Sequence, residues 1–216
     1  MGLKERRKRE RRERRDQIMA AARSLLFDKG LAATSINQIA KRAELGVGTI
    51  YFYFQSKEEL FAVLQVEGLQ LLLERIASAC EKHSDPAARL KAAAMVYLEF
   101  SNDQLRYFDV INYFLSAPEV LLSAELKRRV DEKSGDILTA IAEIIAVGAR
   151  DGTFRPVDAG EAAVLFWGSI HGLVQFRKLE STTLNGRPHA AIFACAVDHL
   201  LDGLKMSPSA GAGGIT

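Results

Sequence analysis

Apolar residues recur along nearly the whole chain at spacings of three and four, the period of an amphipathic helix, while strand-type alternation is almost absent. A first helix is predicted from about Lys4 to Lys29, with Ile18, Ala21, Ala22, Leu25 and Leu26 as its stripe and Gly30 as its stop. Its first three turns hold no apolar residue after Leu3, so they have no core face and must be solvated or bound to something. Thr34 or Ser35 caps a short helix through about Ala43, in which Ile36, Ile39 and Ala40 face inward. Gly46-Val47-Gly48 then interrupts the pattern, and helix-forming character resumes at Thr49 and runs through Ile50-Tyr51-Phe52-Tyr53-Phe54. Ser56, with Glu59 three residues on, is a capping-box arrangement that opens a long helix through Leu60, Val63, Leu64, Leu71 and Leu72 to about Lys82.

Further along, helices are predicted from Asp85-Pro86 to about Ser101, from Asn102 to Ala117 with Pro118 after it, and from about Glu125 to Arg150. Asp151-Gly152 ends the last of these, and Phe154-Arg155-Pro156 reads as an extended connector. Two more helices follow, about Asp158 to Glu180 and Pro188 to Leu204. The Gly/Ala/Ser-rich stretch Ser207 to Thr216 reads as a disordered tail. The fold class is all-α: an N-terminal three-helix domain over 1–60, a larger helical domain over 61–206, and the tail 207–216.

Charge changes this picture at one end. Residues 4–15 carry nine basic and three acidic side chains, and residues 1–60 as a whole carry 14 Lys/Arg against 8 Asp/Glu. The remaining residues hold 15 basic and 19 acidic, so the basic end is a local device for something negative. Cys80 and Cys195 are far apart, with no zinc-type spacing around either. No apolar run approaches the ~18 residues a membrane span needs. The expected setting is the bacterial cytoplasm, with no membrane partner, no metal and no cofactor. Catalysis is not expected either: there is no GxSxG, P-loop or HExxH, and His83, His171, His189 and His199 are scattered without partners at catalytic spacing.

A tight connection between two short helices, the second opening on small and polar residues, is what a helix-turn-helix needs to enter a major groove. Gly48 permits close approach, Thr49 offers a hydroxyl and a methyl to base edges, and Tyr51 and Tyr53 offer hydroxyls to phosphates. Lys57 stands at the start of the next helix, where a phosphate could be held. Arg11, Arg14 and Arg15 of the basic arm are expected on phosphates or in the minor groove.

Three segments resemble the tetracycline-repressor (TetR) family: Leu26-Phe27-Asp28-Lys29-Gly30, Thr34-Ser35-Ile36-Asn37-Gln38-Ile39-Ala40-Lys41-Arg42-Ala43, and Gly48-Thr49-Ile50-Tyr51-Phe52-Tyr53-Phe54-Gln55-Ser56-Lys57-Glu58-Glu59-Leu60. Where that family usually has Gly-Val-Ser at the turn, Glu44-Leu45-Gly46 stands here. The resemblance implies that Thr34, Tyr53 and Lys57, in a DNA-binding set that also includes Ser35, contact phosphates, while Val47, Gly48 and Thr49 read bases. It further implies a regulatory domain that binds a small molecule and forms a homodimer on a palindromic operator. The protein is then a ligand-responsive regulator, a repressor, released from DNA by an apolar or aromatic effector, with the helix from Ser56 as the lever.

An aromatic-rich set with a few polar groups is the expected effector pocket: Tyr97, Phe100, Tyr107, Phe108, Asn112, Phe114, Trp167, His171 and Gln175. Tyr113 and Phe166 belong to the same aromatic population. Gly168 and Gly172, four apart, permit close helix approach, and Ala194, Val197 and Leu201 lie on a broad apolar face of the last helix; these five are the expected dimer interface. The alternative is an architectural or interaction protein using the basic arm on DNA or an anionic surface without sequence preference.

Overall fold

The computed structural model describes residues 2–116, 122–182, 184 and 186–206. Every regular element among them is helical: α1 Leu3–Lys29, α2 Ile36–Arg42, α3 Val47–Tyr53, α4 Lys57–Cys80, α5 Pro86–Asp103, α6 Leu105–Ser116, α7 Ala124–Asp151, α8 Ala159–Gln175 and α9 His189–Leu204, with a 3-10 turn at Phe176–Leu179. The all-α expectation holds. The tail 207–216 and the predicted helix end at Ala117-Pro118 lie outside the described residues.

Three boundaries differ from the sequence reading. α3 begins at Val47, with Gly46 as an extended N-cap whose carbonyl accepts from Thr49 N–H at 2.9 Å, so Val47 and Gly48 are its first turn and not an interruption. The break after α5 falls at Gln104. Ser101 Oγ and Asn102 Nδ2 both donate to the Leu98 carbonyl in the last turn of α5. α8 stops at Gln175 and does not run on to Glu180. Arg177 then donates to the Ser101 carbonyl at 3.0 Å and to Asn102 Oδ1, which holds the chain in its tight turn.

The described residues within Met1–Leu69 and Gln104–Asp131 form one compact unit, and those within Gln70–Asp103 and Glu132–Thr216 form the other. The first is built on the α1 stripe Ile18, Ala22, Leu25 and Leu26, which is buried with Ile39 and Ala40 of α2, Ile50 of α3 and Leu60, Phe61 and Leu64 of α4. Ser35 caps α2 by a full capping box: its hydroxyl accepts from Gln38 N–H and the Gln38 side chain accepts from Ser35 N–H. Arg23 grips Glu67 at 2.7 Å, and Tyr107 of α6 donates to the same carboxylate at 3.4 Å, tying α1, α4 and α6 together. The bond to Glu67 raises the Arg23 pKa. Tyr107 is raised too, first by burial and then by the Glu67 charge.

The connection between α2 and α3 contains the one non-glycine positive φ among the described residues, Glu44 at 54°. It sits in a Schellman arrangement, Leu45 N–H bonding the Ala40 carbonyl and Glu44 N–H the Lys41 carbonyl. A left-handed residue with a Cβ is strained by about 1–2 kcal/mol. Glu44→Gly is therefore expected to stabilise the first unit by about 1 kcal/mol, read as a shift in urea midpoint without a change of slope. An unchanged or lowered midpoint would mean the Glu44 side chain repays its strain.

In the second unit, Tyr97 and Phe100 of α5, Ile141 and Ile145 of α7, Phe166, Ile170 and Val174 of α8, and Phe193, Val197 and Leu201 of α9 are all buried. Asp158 caps α8 by accepting from Glu161 N–H at 2.8 Å. The His189 ring sits 2.8 Å from the Leu173 carbonyl, fixing the start of α9 against α8.

Candidate nucleic-acid interface

α3 is held at fixed pitch by its inner side. Ile50 is fully buried, and Gln17 of α1 donates to the Ala43 carbonyl at 2.7 Å, so the connection leading into α3 is pinned from below. What remains outward is Val47, Gly48, Tyr51 and Phe52, with Thr49 and Tyr53 half-buried at the margins. Tyr51 is 53% exposed and Phe52 71%, a solvent exposure that apolar burial alone does not explain in a well-packed unit.

Sequence reasoning does not single out Phe52. Its neighbours Ile50 and Phe54 are core, and an aromatic run reads as core unless its phase is known. The signal that could have found it is spacing: Phe52 lies four residues after Gly48, on the same side of a helix. Arg11 stands over its ring at 6.0 Å and Arg15 over Phe54 at 5.0 Å, which brings the basic arm against the aromatic end of α3. Arg14 donates to Gln17 Oε1 at 2.9 Å.

Thr34 is placed differently from the role its resemblance implies. Its side chain is 1% exposed, and its hydroxyl donates to the Gly30 carbonyl at 2.8 Å, so the proton a phosphate would need is already used. It closes the α1–α2 connection. Ser35 is exposed but spends its oxygen on the α2 cap. Lys57 is half-buried with its ammonium 5.5 Å from the Phe61 ring centroid, within side-chain reach of the surface. Glu59 does more than the predicted capping box asks. Ser56 Oγ accepts from Glu59 N–H at 3.2 Å, while the buried Glu59 carboxylate accepts from Gln55 N–H at 2.9 Å and Ser123 N–H at 3.3 Å, fastening the chain just after α3 to the residue before α7.

Of the nine residues expected to line an effector pocket, Tyr107, Phe108, Asn112 and Phe114 belong to the first unit, and Tyr97, Phe100, Trp167, His171 and Gln175 to the second. Tyr107 is packed edge-on to Phe27, its ring centroid 5.3 Å away, and Asn112 Nδ2 donates to the Phe108 carbonyl. In the second unit Tyr97 OH lies 2.6 Å from His171 Nδ1 and the Tyr97 ring centroid 4.7 Å from that of Trp167. Burial pushes the Tyr97 phenol well above its ordinary value and His171 below, which favours the neutral form of both groups. Phe100 is fully buried beneath the Arg75 guanidinium.

The expected dimer residues divide by face. Val197 and Leu201 continue the inward stripe of Phe193 and fill the protomer's own core, because positions four apart share one side of α9. The outward side of α8 and α9 instead forms an open groove of about 880 Å³ lined by Gly168, Gly172, Phe176, Ala191, Cys195 and Leu200. Ala194 is half-buried. On α8 Leu165 is 71% exposed, and Phe176 just after it is 50% exposed. A Cβ added at Gly168 or Gly172 would meet nothing within 4 Å, so nothing within the described chain requires a glycine at either position.

The family described as "Bacterial regulatory proteins, tetR family" matches residues 18–64, which span the α1 stripe, α2, α3 and the start of α4. The chain is 26% identical to the HTH-type transcriptional repressor KstR2 of Mycolicibacterium smegmatis over 66% of this chain and 68% of that protein. It is 31% identical to the HTH-type transcriptional regulator HbdR of Aromatoleum sp. over 68% of this chain and 62% of that one. The crystal structure of a bacterial regulatory protein in the tetR family from Rhodococcus RHA1 superposes with a TM-score of 0.67 at 23% identity, covering 89% of this chain and 97% of that one. These relatives are regulators of transcription and not enzymes, and among the described residues no helix is long and apolar enough to cross a membrane. Residues 18–64 thus match the tetR family of bacterial regulatory proteins, and the fold over 89% of the chain is that of a solved protein of that family.

Proposed function

We propose that the protein is a ligand-responsive repressor that binds a palindromic operator as a homodimer and is released by a small apolar or aromatic effector. The observation that carries the DNA-reading part is the outward face of α3: exposed side chains on a short helix whose inner face is locked into a three-helix unit. In this reading Val47, Gly48 and Thr49 meet base edges, joined by Tyr51, whose exposed place four residues after Val47 moves it from the phosphate role expected from the sequence, and Tyr53, Lys57 and the arm arginines hold phosphates. Phe52 joins them as an apolar contact suited to a thymine methyl. Thr34 and Ser35 serve by fixing α2.

Dimerisation is supported by the outward α8–α9 groove, where the exposed Phe176 lies beside two glycines that leave room for a closely approaching helix. The effector acts by linkage: it shifts the dimer from its operator only as far as it prefers the arrangement with lower DNA affinity. α4, whose residues fall in both units, is the lever between effector and operator.

Thr49→Ala and Tyr51→Ala test base reading. Each is expected to weaken binding to the preferred duplex by roughly 10- to 100-fold, about 1–3 kcal/mol, while leaving affinity for a mixed-sequence duplex unchanged. Equal losses on both duplexes would make these contacts backbone contacts and contradict the assignment. A screen of apolar and aromatic small molecules against the preferred complex is expected to find one that releases DNA; release by none would contradict the effector part.

A further inference from the structure

The cations of the extended first helix are sorted by face. Residues 2–17 are all exposed, so no packing within the chain explains the sorting. Arg6 pairs with Glu10 at 2.8 Å, Arg9 with Glu13 at 3.5 Å and Arg12 with Asp16 at 3.9 Å, each an i,i+4 pair. These six, with Glu5, occupy one side of the helix, which is close to neutral. Lys4, Arg7, Lys8, Arg11, Arg14 and Arg15 recur at spacings of three and four and occupy the other side. Among the described residues no carboxylate lies within ion-pair distance of any of them. Their side continues the stripe Ile18, Ala22 and Leu25 by which α1 packs into the helix-turn-helix, and Arg11 and Arg15 reach the Phe52 and Phe54 rings of α3 and its C-cap. The cationic face therefore leaves the helix-turn-helix on the side where α3 ends.

We propose that α1 before Asp16 is a phosphate-binding helix, laying this single cationic face along the duplex that flanks the site read by α3 and lengthening the footprint of each protomer. The inference rests on the DNA-binding reading above and adds to it a binding mode, a face and an outer boundary. From Leu3 to Arg15 the helix extends roughly 18 Å at 1.5 Å per residue, about five base-pair steps of 3.4 Å. A membrane surface is the poorer match, because an interfacial helix needs an apolar face opposite its cations and this segment has only Leu3. At the inner end, Arg11 and Arg15 share a recess with Glu59 and Glu125, so the least compensated charge is the outer group Lys4, Arg7 and Lys8.

Two triple variants with the same change of net charge separate face from bulk charge. Lys4→Gln/Arg7→Gln/Lys8→Gln removes the proposed phosphate ligands, and Arg6→Gln/Arg9→Gln/Arg12→Gln removes the paired cations; circular dichroism verifies that both keep their helix content. Binding to a mixed-sequence 40-base-pair duplex is measured from low to moderate salt, alongside hydroxyl-radical footprints on a duplex selected for tight binding. The first variant is expected to flatten the log–log salt slope by roughly 0.9 for each phosphate no longer neutralised, up to about 2.7 per protomer, and to give up protection at the footprint's outer edges. The second is expected to keep both close to the unaltered protein's. Equal flattening in both variants, or in neither, overturns the inference. So does binding to phosphatidylserine vesicles that only the first variant loses while duplex binding stays intact. If the unaltered protein binds no duplex at all, the DNA-binding reading itself fails, a result distinct from these.

Discussion

Gly172→Leu, in the outward face of α8, is expected to give a folded monomer with about 10²- to 10⁴-fold weaker operator affinity. The space around the glycine allows the substitution. A Cβ there would meet nothing within 4 Å, the same holds at Gly168, and both line the open α8–α9 groove, so a side chain at either position starts into open space and not into the protomer's core. Glycine in a helix interior costs roughly 0.5–1 kcal/mol relative to alanine, so Gly172→Ala should stabilise the protomer slightly. Leucine at this position projects into the groove lined by Phe176, Ala191 and Leu200, where a partner's helix is proposed to lie, and holds the two apart. Without the partner, two linked half-site interactions become one, and the missing linkage accounts for the fall in affinity. Sedimentation equilibrium and operator titration check this. A Gly172→Leu protein that remains a dimer with full affinity would remove this face from the interface.

Gly148→Ala is expected to destabilise the second unit by about 3 kcal/mol, the upper end of the ordinary cost of overpacking. Here the glycine is required. A Cβ at Gly148 would stand 2.2 Å from Phe154 Cδ2 and 2.5 Å from Cε2. The ring cannot swing away, since Phe154 is fully buried, its N–H donates to the Gly148 carbonyl at 2.8 Å, and it pairs with Lys205 in an isolated bridge. A destabilisation of that size corresponds to a fall in Tm of roughly 6–12 °C for a domain of this size. Phe154→Leu added to Gly148→Ala should recover part of it by vacating ring volume. A Gly148→Ala protein melting at the unaltered temperature would show that the ring relocates at little cost.

The contrast between these two glycines shows what periodicity conveys. Gly168 and Gly172 stand out because they punctuate an apolar helix at a spacing of four; Gly148 sits in an equally helical stretch but owes its role to a ring six residues on across a turn, which no local pattern encodes. Helix positions are legible because caps and stripes are local: Ser35 with Gln38, Asp158 before α8, and Gly30 after the α1 stripe all stand where their chemistry requires. The direction each apolar residue faces is less legible. Val197 and Leu201 share a broad apolar helix with Ala191 and Cys195, and only tertiary packing decides which side turns inward. Phe52 is exposed and Phe54 buried within one aromatic run for the same reason. Resemblance assigns Thr34 a phosphate, but its hydroxyl bonds a carbonyl four residues back, a local alternative common to threonine at helix connections. As a motif Glu59 is half of a cap, and its bond to Ser123 joins residues 64 positions apart, beyond any motif.

If α3 reads DNA sequence as part of a symmetric pair, the most direct test is selection of bound duplexes from a random pool by the full chain at near-physiological salt. The expected result is a palindromic consensus with half-sites about one helical turn apart or a multiple of it. Retention of duplexes with no common sequence, on a steep salt dependence, would contradict sequence reading by α3 and leave a protein that holds DNA through its basic arm alone.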